Sequence, residues 1–131
     1  MYIIDTDICI YWLKGNRNVA RRIENQGIEN ISVTIITACE LYFGAYNSQK
    51  KDRNIAALNE LFMQLKVIQT TSEVARNFGD IKARLEQEGR IINDADILIA
   101  SIIIANNGIL VTNNTDHFKR ISGLRLENWL F

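Results

Sequence analysis

Apolar and polar positions along the chain follow two rhythms. Short apolar runs recur at Tyr2-Ile3-Ile4, Ile31-Ser32-Val33, Val67-Ile68 and Ile109-Leu110-Val111, with Leu124-Arg125-Leu126-Glu127 as a weaker fifth. Such runs are too short for helices and read as buried strands. Between them the apolar residues return every three or four positions. Asp7 to Leu13 reads as a helix stopped by Lys14-Gly15-Asn16, and residues 17–26 as a basic helix ended by Gly27. A helix is predicted over Ile35 to Tyr46. After a charged, turn-like segment from Asn47 to Arg53, Ile55, Leu58, Leu61, Phe62 and Leu65 share one helical face. Val74, Phe78, Ile81 and Leu85 mark a helix from Ser72 to Glu88, closed by Gly89. The helix that begins near Asp94 is apolar almost all round, as expected of one packed inside a domain.

Short apolar strands alternating with helices predict an α/β protein: three layers, α/β/α, around a short, mostly parallel sheet of four to five strands. A length of 131 residues suits one domain spanning residues 1–131. No internal repeat or low-complexity tract interrupts it, and the absence of proline leaves no Pro-rich linker.

The 47% hydrophobic content excludes a disordered chain. The longest apolar run, Ile97 to Ala105, is broken by Ser101 and falls well short of the roughly 20 residues of a membrane span. Nor does the N-terminus read as a signal peptide, since no basic stretch precedes an apolar core there. Cys9 and Cys39 lie in apolar stretches without metal-ligand spacing, and are expected to be buried free thiols in a reducing cytoplasm. Fifteen Lys and Arg balance fifteen Asp and Glu. If Asp5, Glu40, Asp94, Asp96 and Asp116 are committed to a metal, the remainder carries an excess of five positive charges. Net charge therefore neither supports nor excludes a phosphate-backbone substrate.

The acids fall at telling places. In open parallel sheets, sites form outside the carboxyl ends of the strands. Asp5 follows the first strand directly, Glu40 lies one to two turns into the helix after the second, Asp94 and Asp96 open the buried helix, and Asp116 lies just beyond Thr112-Asn113-Asn114 at the end of the fourth. Carboxylates gathered there repel one another and are costly to desolvate. A hard divalent cation removes that cost, and oxygen-only ligands select Mg²⁺ or Mn²⁺ over zinc. No Ser-His-Asp or Cys-His set is evident, and the single histidine, His117, would have to serve alone. Each acid also has a plainer role open to it: Asp94 or Asp7 as a helix cap, Asp96 as a partner of a helix N-terminus, Glu40 as an outward-facing helical acid, Asp5 as a turn former.

These stretches resemble the PIN-domain ribonucleases, and among them the VapC-type toxins of bacterial toxin–antitoxin pairs. Ile3-Ile4-Asp5-Thr6-Asp7-Ile8 is similar to the family's strand followed by Asp-Thr-Asn, with Asp7 in place of the usual Asn. Ser32-Val33-Thr34 through Ala38-Cys39-Glu40-Leu41-Tyr42-Phe43-Gly44-Ala45 resembles the second motif, whose Glu falls on Glu40. Asp96-Ile97-Leu98-Ile99-Ala100 resembles the third, which favours Asp96 over Asp94. Leu110-Val111-Thr112-Asn113-Asn114 through Phe118, then Gly123-Leu124 and Glu127-Asn128-Trp129, resembles the C-terminal signature. The resemblance spans essentially the whole chain, in order.

It implies a cytoplasmic, Mg²⁺-dependent (Mn²⁺ as substitute) endoribonuclease, with Asp5 and Asp96 as principal metal ligands. Glu40 would bind metal or position the attacking water, and Thr6, Thr112 and Asn114 would support the site. Thr112 would orient a water or phosphate through its hydroxyl. The family's fourth acid stands two residues after the strand-end Thr. Asn114 occupies that place here, and Asp116, two residues further on, would reach the metal directly or through water; with neither contributing, three acids remain and a second metal would bind weakly. Lys14, Arg17, Arg21, Lys50, Lys51 and Arg53 would grip RNA phosphates. The resemblance also implies a homodimer inhibited by a VapB-type antitoxin that lays an apolar segment over the helices near the site, with no membrane partner.

Two other readings compete. Asp5-Thr6-Asp7 after a strand also resembles the nucleophile motif of haloacid-dehalogenase-like phosphatases, with Asp5 forming a phospho-enzyme and Asp7 acting as acid and base. That chemistry needs a strand-end Lys, which is missing, and a longer chain. The other is a binding domain that kept the fold without catalysis, which the well-placed acids disfavour.

Overall fold

The computed structural model describes residues 1–131. Five strands form one sheet: β1 (Tyr2–Ile4), β2 (Ile31–Thr34), β3 (Lys66–Ile68), β4 (Ile109–Val111) and β5 (Arg125–Glu127). Their order is β3-β2-β1-β4-β5, and every neighbouring pair is parallel. The helices are α1 (Thr6–Leu13), α2 (Arg17–Gln26), α3 (Ile35–Tyr46), α4 (Lys51–Gln64), α5 (Ser72–Gln87), α6 (Asp94–Ala105) and the short α7 (Thr115–Phe118).

Successive side chains of a strand point to opposite faces, and β1 shows what that does here. Ile3 joins Leu110 in a core built with Val74, Ile81 and Leu85 of α5 and the apolar side of α6. Ile4 joins Val33, Val111 and Trp129 in a second core with residues of α1, α2, α3 and α4. Two cores on two faces make the three-layer α/β/α arrangement read from the sequence. The all-round apolarity of α6 is explained by its burial: Ile97, Ile99, Ala100, Ile102 and Ile103 are all closed off from solvent.

Strand order positions the site. The chain moves outward from β1 through β2 to β3, then returns to add β4 on the other side of β1. Connections on either side of β1 leave in opposite directions, opening a crevice at the carboxyl ends of β1 and β4. Asp5 and Thr112 are the residues that leave those two ends.

Several local expectations are corrected. Asp5, not Asp7, is the N-cap of α1, its extended backbone (φ −73°, ψ 166°) letting the side chain accept from the Thr6 amide. Asn93, not Asp94, caps α6 by accepting from the Asp96 amide, while Asp94 pairs with Lys82 at 3.0 Å. α4 starts at Lys51, inside the segment read as a turn. Cys39 is exposed, whereas Cys9 is buried. The turn Ile28–Asn30 and the four-residue α7 were not legible, being too short to show a period.

Candidate active site

Asp5 is the anchor. Only 6% of it is exposed, and both carboxylate oxygens are engaged: Oδ1 accepts from the Thr6 amide at 2.9 Å and Oδ2 from the Thr112 hydroxyl at 2.8 Å. The Thr112 hydroxyl in turn accepts from the Asn114 amide at 3.0 Å. Thr112 is fully buried. Its hydroxyl therefore holds both Asp5 and the loop that follows β4. Burial pushes the Asp5 carboxyl up to about 7; the Asp7 and Asp96 charges push it the same way, against the pull of Thr112 and the Thr6 amide.

Asp7 stands beside it. Its Oδ2 accepts from the Asn113 amide at 3.1 Å, while its Oδ1 is buried with no hydrogen-bond partner. Burial raises its pKa, the Asn113 and Ile8 amides pull it down, and the Asp96 charge raises it again. Asp96 comes from the first turn of α6 and is 14% exposed at its side chain. Its Oδ2 accepts from Asn93 Nδ2 at 3.0 Å, so cap and carboxylate hold each other in a reciprocal box. His117 Nδ1 lies 3.6 Å from the same oxygen and 2.9 Å from Asn114 Nδ2. Asn114 thus faces the site through His117.

Glu40 arrives from α3. The Thr6 hydroxyl donates to Glu40 Oε1 at 2.7 Å and lies 3.1 Å from the Thr37 hydroxyl, so the first residue of α1 ties α3 to the end of β1. Asp116 is not brought to the others. Its side chain is 83% exposed and pairs with Lys119 at 3.0 Å; the Lys119 hydrogen bond and charge hold its carboxyl below the usual range. The residue that sequence reasoning undervalued is Asp7. Its spacing also suits a helix cap, but an acid two places after a strand-end Asp is the signal that points to the site.

No three of the chain's His, Cys, Asp and Glu side chains stand as a ready-made metal-holding group. Asp5, Asp7 and Asp96 are electrostatic neighbours, and Glu40 is linked to them through Thr6. They still fit a hard divalent cation. The donors are all oxygens, the Asp5 and Asp7 carboxyls are both raised by burial and by the charge of Asp96, and Asp7 Oδ1 is a buried acceptor with nothing to accept from. Such a set is disfavoured as free anions and stabilised by a cation.

The chain matches known proteins along nearly its whole length. A family model described as the PIN domain matches residues 2–124. Ribonuclease VapC2 of Haemophilus influenzae is 37% identical over 129 residues, with 98% of each chain covered. The tRNA(fMet)-specific endonuclease VapC of Shigella flexneri is 33% identical, covering 98% of this chain and 97% of that one. Among solved structures, VapBC2 of Rickettsia felis bound to a promoter DNA fragment contains a chain 37% identical with a TM-score of 0.91, each 98% covered. DNA-bound VapBC of Salmonella typhimurium gives 30% identity and a TM-score of 0.92, covering 98% and 97%. The chain belongs to the PIN-domain family, in its branch of VapC ribonucleases.

Proposed function

We propose that this chain is the ribonuclease toxin of a toxin–antitoxin pair, cutting RNA phosphodiesters at the crevice between the ends of β1 and β4. Its nuclease character follows from the family to which it belongs. The observation that carries the assignment of residues is the placing of Asp5. It is buried, bonded across the sheet to Thr112, and shares its crevice with the charges of Asp7 and Asp96.

Asp5, Asp96 and Asp7 are the proposed holders of Mg²⁺, with Mn²⁺ as a substitute, and Glu40, tied to the site through Thr6, is proposed to position the attacking water. When bound, such a cation supplies Lewis acidity to the phosphodiester and lowers the pKa of water. The chain's own residues do the rest. Thr112 and the Thr6 amide fix Asp5; Asn93 fixes Asp96; the Thr6 hydroxyl aims Glu40. Asp116, exposed and paired with Lys119, is left as a surface contributor in this reading.

The solved neighbours are complexes of VapB with VapC, which supports a VapB-type antitoxin as this chain's partner. No helix is long and apolar enough to cross a membrane. A cytoplasmic location, where RNA is reached, belongs to the proposal. So do a homodimer, which the exposed Phe43, Tyr46 and Met63 would help to form, and the treatment of residues 1–131 as one PIN domain, supported by the family match over residues 2–124.

The test is expression of the wild type beside Asp96→Asn, with sequencing of RNA ends from both. Growth arrest with fresh ends in the wild type alone is expected. Identical RNA ends in the two strains would contradict the assignment.

A further inference from the structure

Beside the acids, α1, α3 and α4 leave a groove of about 810 Å³. One end is the site itself, since Thr6 and Glu40 line it. Its floor is apolar, built from Ile10, Leu13, Leu41 and Leu58 among others, and its far rim carries Lys14, Lys50 and Arg53. These three cations make no ion pair, and Glu40 is the only acid lining the groove. The polarity is therefore graded: a carboxylate where a cation is proposed to sit, and unpaired positive charge beyond it. Ser48 and Asn54 also line the groove. Ser48 Oγ donates to the Ala45 carbonyl at 2.7 Å and accepts from Asn54 Nδ2 at 2.9 Å, which leaves the Asn54 amide oxygen as its unengaged end.

We propose that this groove holds one unstacked nucleotide of single-stranded RNA next to the cut bond. The base lies on the apolar floor, the flanking phosphates meet Lys14, Lys50 and Arg53, and Asn54 reads the base edge. This rests on the ribonuclease assignment above and adds where the strand runs. The volume falls in the range of roughly 300–1,000 Å³ that suits a small-ligand site. Unpaired cations favour phosphates, an apolar floor accepts any base face, and a free amide oxygen adds discrimination by accepting from a base amino group. An acidic protein segment would satisfy the cations equally, so the experiment has to separate the two occupants.

Gly44 makes that possible. It lines the groove in mid-helix, and a Cβ built on it meets nothing within 4 Å. Gly44→Leu should thus fill the groove without clashing with the fold, and Ala57→Phe would fill it from α4 should the first variant melt early. A fluorescein-labelled, mixed-sequence, single-stranded RNA of roughly ten nucleotides is titrated by anisotropy in EDTA at several salt concentrations. The proteins are the antitoxin-free wild type, the filled variant that retains the wild-type circular-dichroism melt, and the triple variant Lys14→Ala/Lys50→Ala/Arg53→Ala. Cleavage of the same RNA in Mg²⁺ is followed in parallel.

The filled variant should bind at least about tenfold more weakly with an unchanged salt slope, because a base and not a phosphate has been displaced. The triple variant should lower the magnitude of that slope by about 2, at roughly 0.7 per phosphate contact on a single strand. If wild type cleaves and both variants bind and cleave as it does, the inference falls and the ribonuclease assignment stands. The same holds if the variants lose only their affinity for a purified antitoxin, which would make the groove a protein-binding surface. If wild type neither binds nor cleaves, both fall.

Discussion

The Thr112 hydroxyl donates to Asp5 Oδ2 at 2.8 Å across 107 positions of sequence, joining the ends of β4 and β1. Since Thr112 also accepts from the Asn114 amide, one buried hydroxyl fixes the anchor acid and the loop that follows β4. Thr112→Val keeps the shape and removes both bonds. It should cost about 1–3 kcal/mol of stability, the usual penalty for buried polar groups left unpaired. It should also raise the Asp5 carboxyl further, because Thr112 pulls it down. Chemical denaturation checks the first, and the pH at which Mn²⁺ binding sets in checks the second: it should move to higher pH.

Asp5 makes stability depend on pH in a direction that can be worked out. Its folded-state pKa, about 7, lies above the ordinary 3.8. Between those values the folded chain holds a proton that the unfolded chain has released, so stability falls as pH rises through the window and stays low above it. Asp5→Asn carries no charge and should escape this fall. In EDTA at pH 8 the variant should be more stable than wild type, by something on the order of a few kcal/mol, while losing cleavage. Melts of the two proteins across pH check it; parallel curves would show that Asp5 is not the group responsible.

Asp7 and Asp116 separate two versions of the site. Asp7 feels the charge of Asp96 and its Oδ1 is buried without a partner, whereas Asp116 is bonded to Lys119 at the surface. Asp7→Asn should weaken Mn²⁺ binding by roughly tenfold or more, as removal of a metal-shell group does. Asp116→Asn should stay within about twofold of wild type, since exposed charges away from the site change little. Isothermal titration calorimetry distinguishes them, and the reverse ranking would return Asp116 to the site.

Thr6 serves as the positioner of Glu40 through the 2.7 Å bond from its hydroxyl. Thr6→Val should cost about 1–3 kcal/mol of stability, because the buried Thr37 hydroxyl also loses its partner, and cut cleavage by roughly 10–100-fold. Thr6→Ser should restore most of it. Equal losses in Val and Ser would point to packing at Thr6 and not to its hydroxyl.

Most of this architecture was readable from the chain because period and burial agree. The runs at Ile3-Ile4, Val33 and Leu110-Val111 became the central strands, and the all-round apolar α6 became the buried helix that presents Asp96. What stayed hidden was set by single residues of capping. With Asp5 as cap, α1 begins one residue earlier than its apolar pattern suggests, and Asp7 becomes a first-turn acid turned into the crevice. Residues i and i+2 do not normally share a helical face, so pairing Asp5 with Asp7 requires one of them to lie outside the helix. The placing of Asp116 was hidden for a related reason. The four-residue α7 gives no period, and only its geometry sends Asp116 outward and His117 toward Asp96.

RNA cleavage is proposed to depend on a divalent cation held by Asp5, Asp7 and Asp96. The most direct measurement is Mn²⁺ binding and RNA cleavage in the same preparations of wild type, Asp5→Asn and Asp96→Asn, each with and without EDTA. Wild type should bind Mn²⁺ and cleave only when the ion is present, and both variants should lose binding and cleavage together while keeping their fold. Cleavage at the wild-type rate by either variant, or by wild type in EDTA, would contradict it.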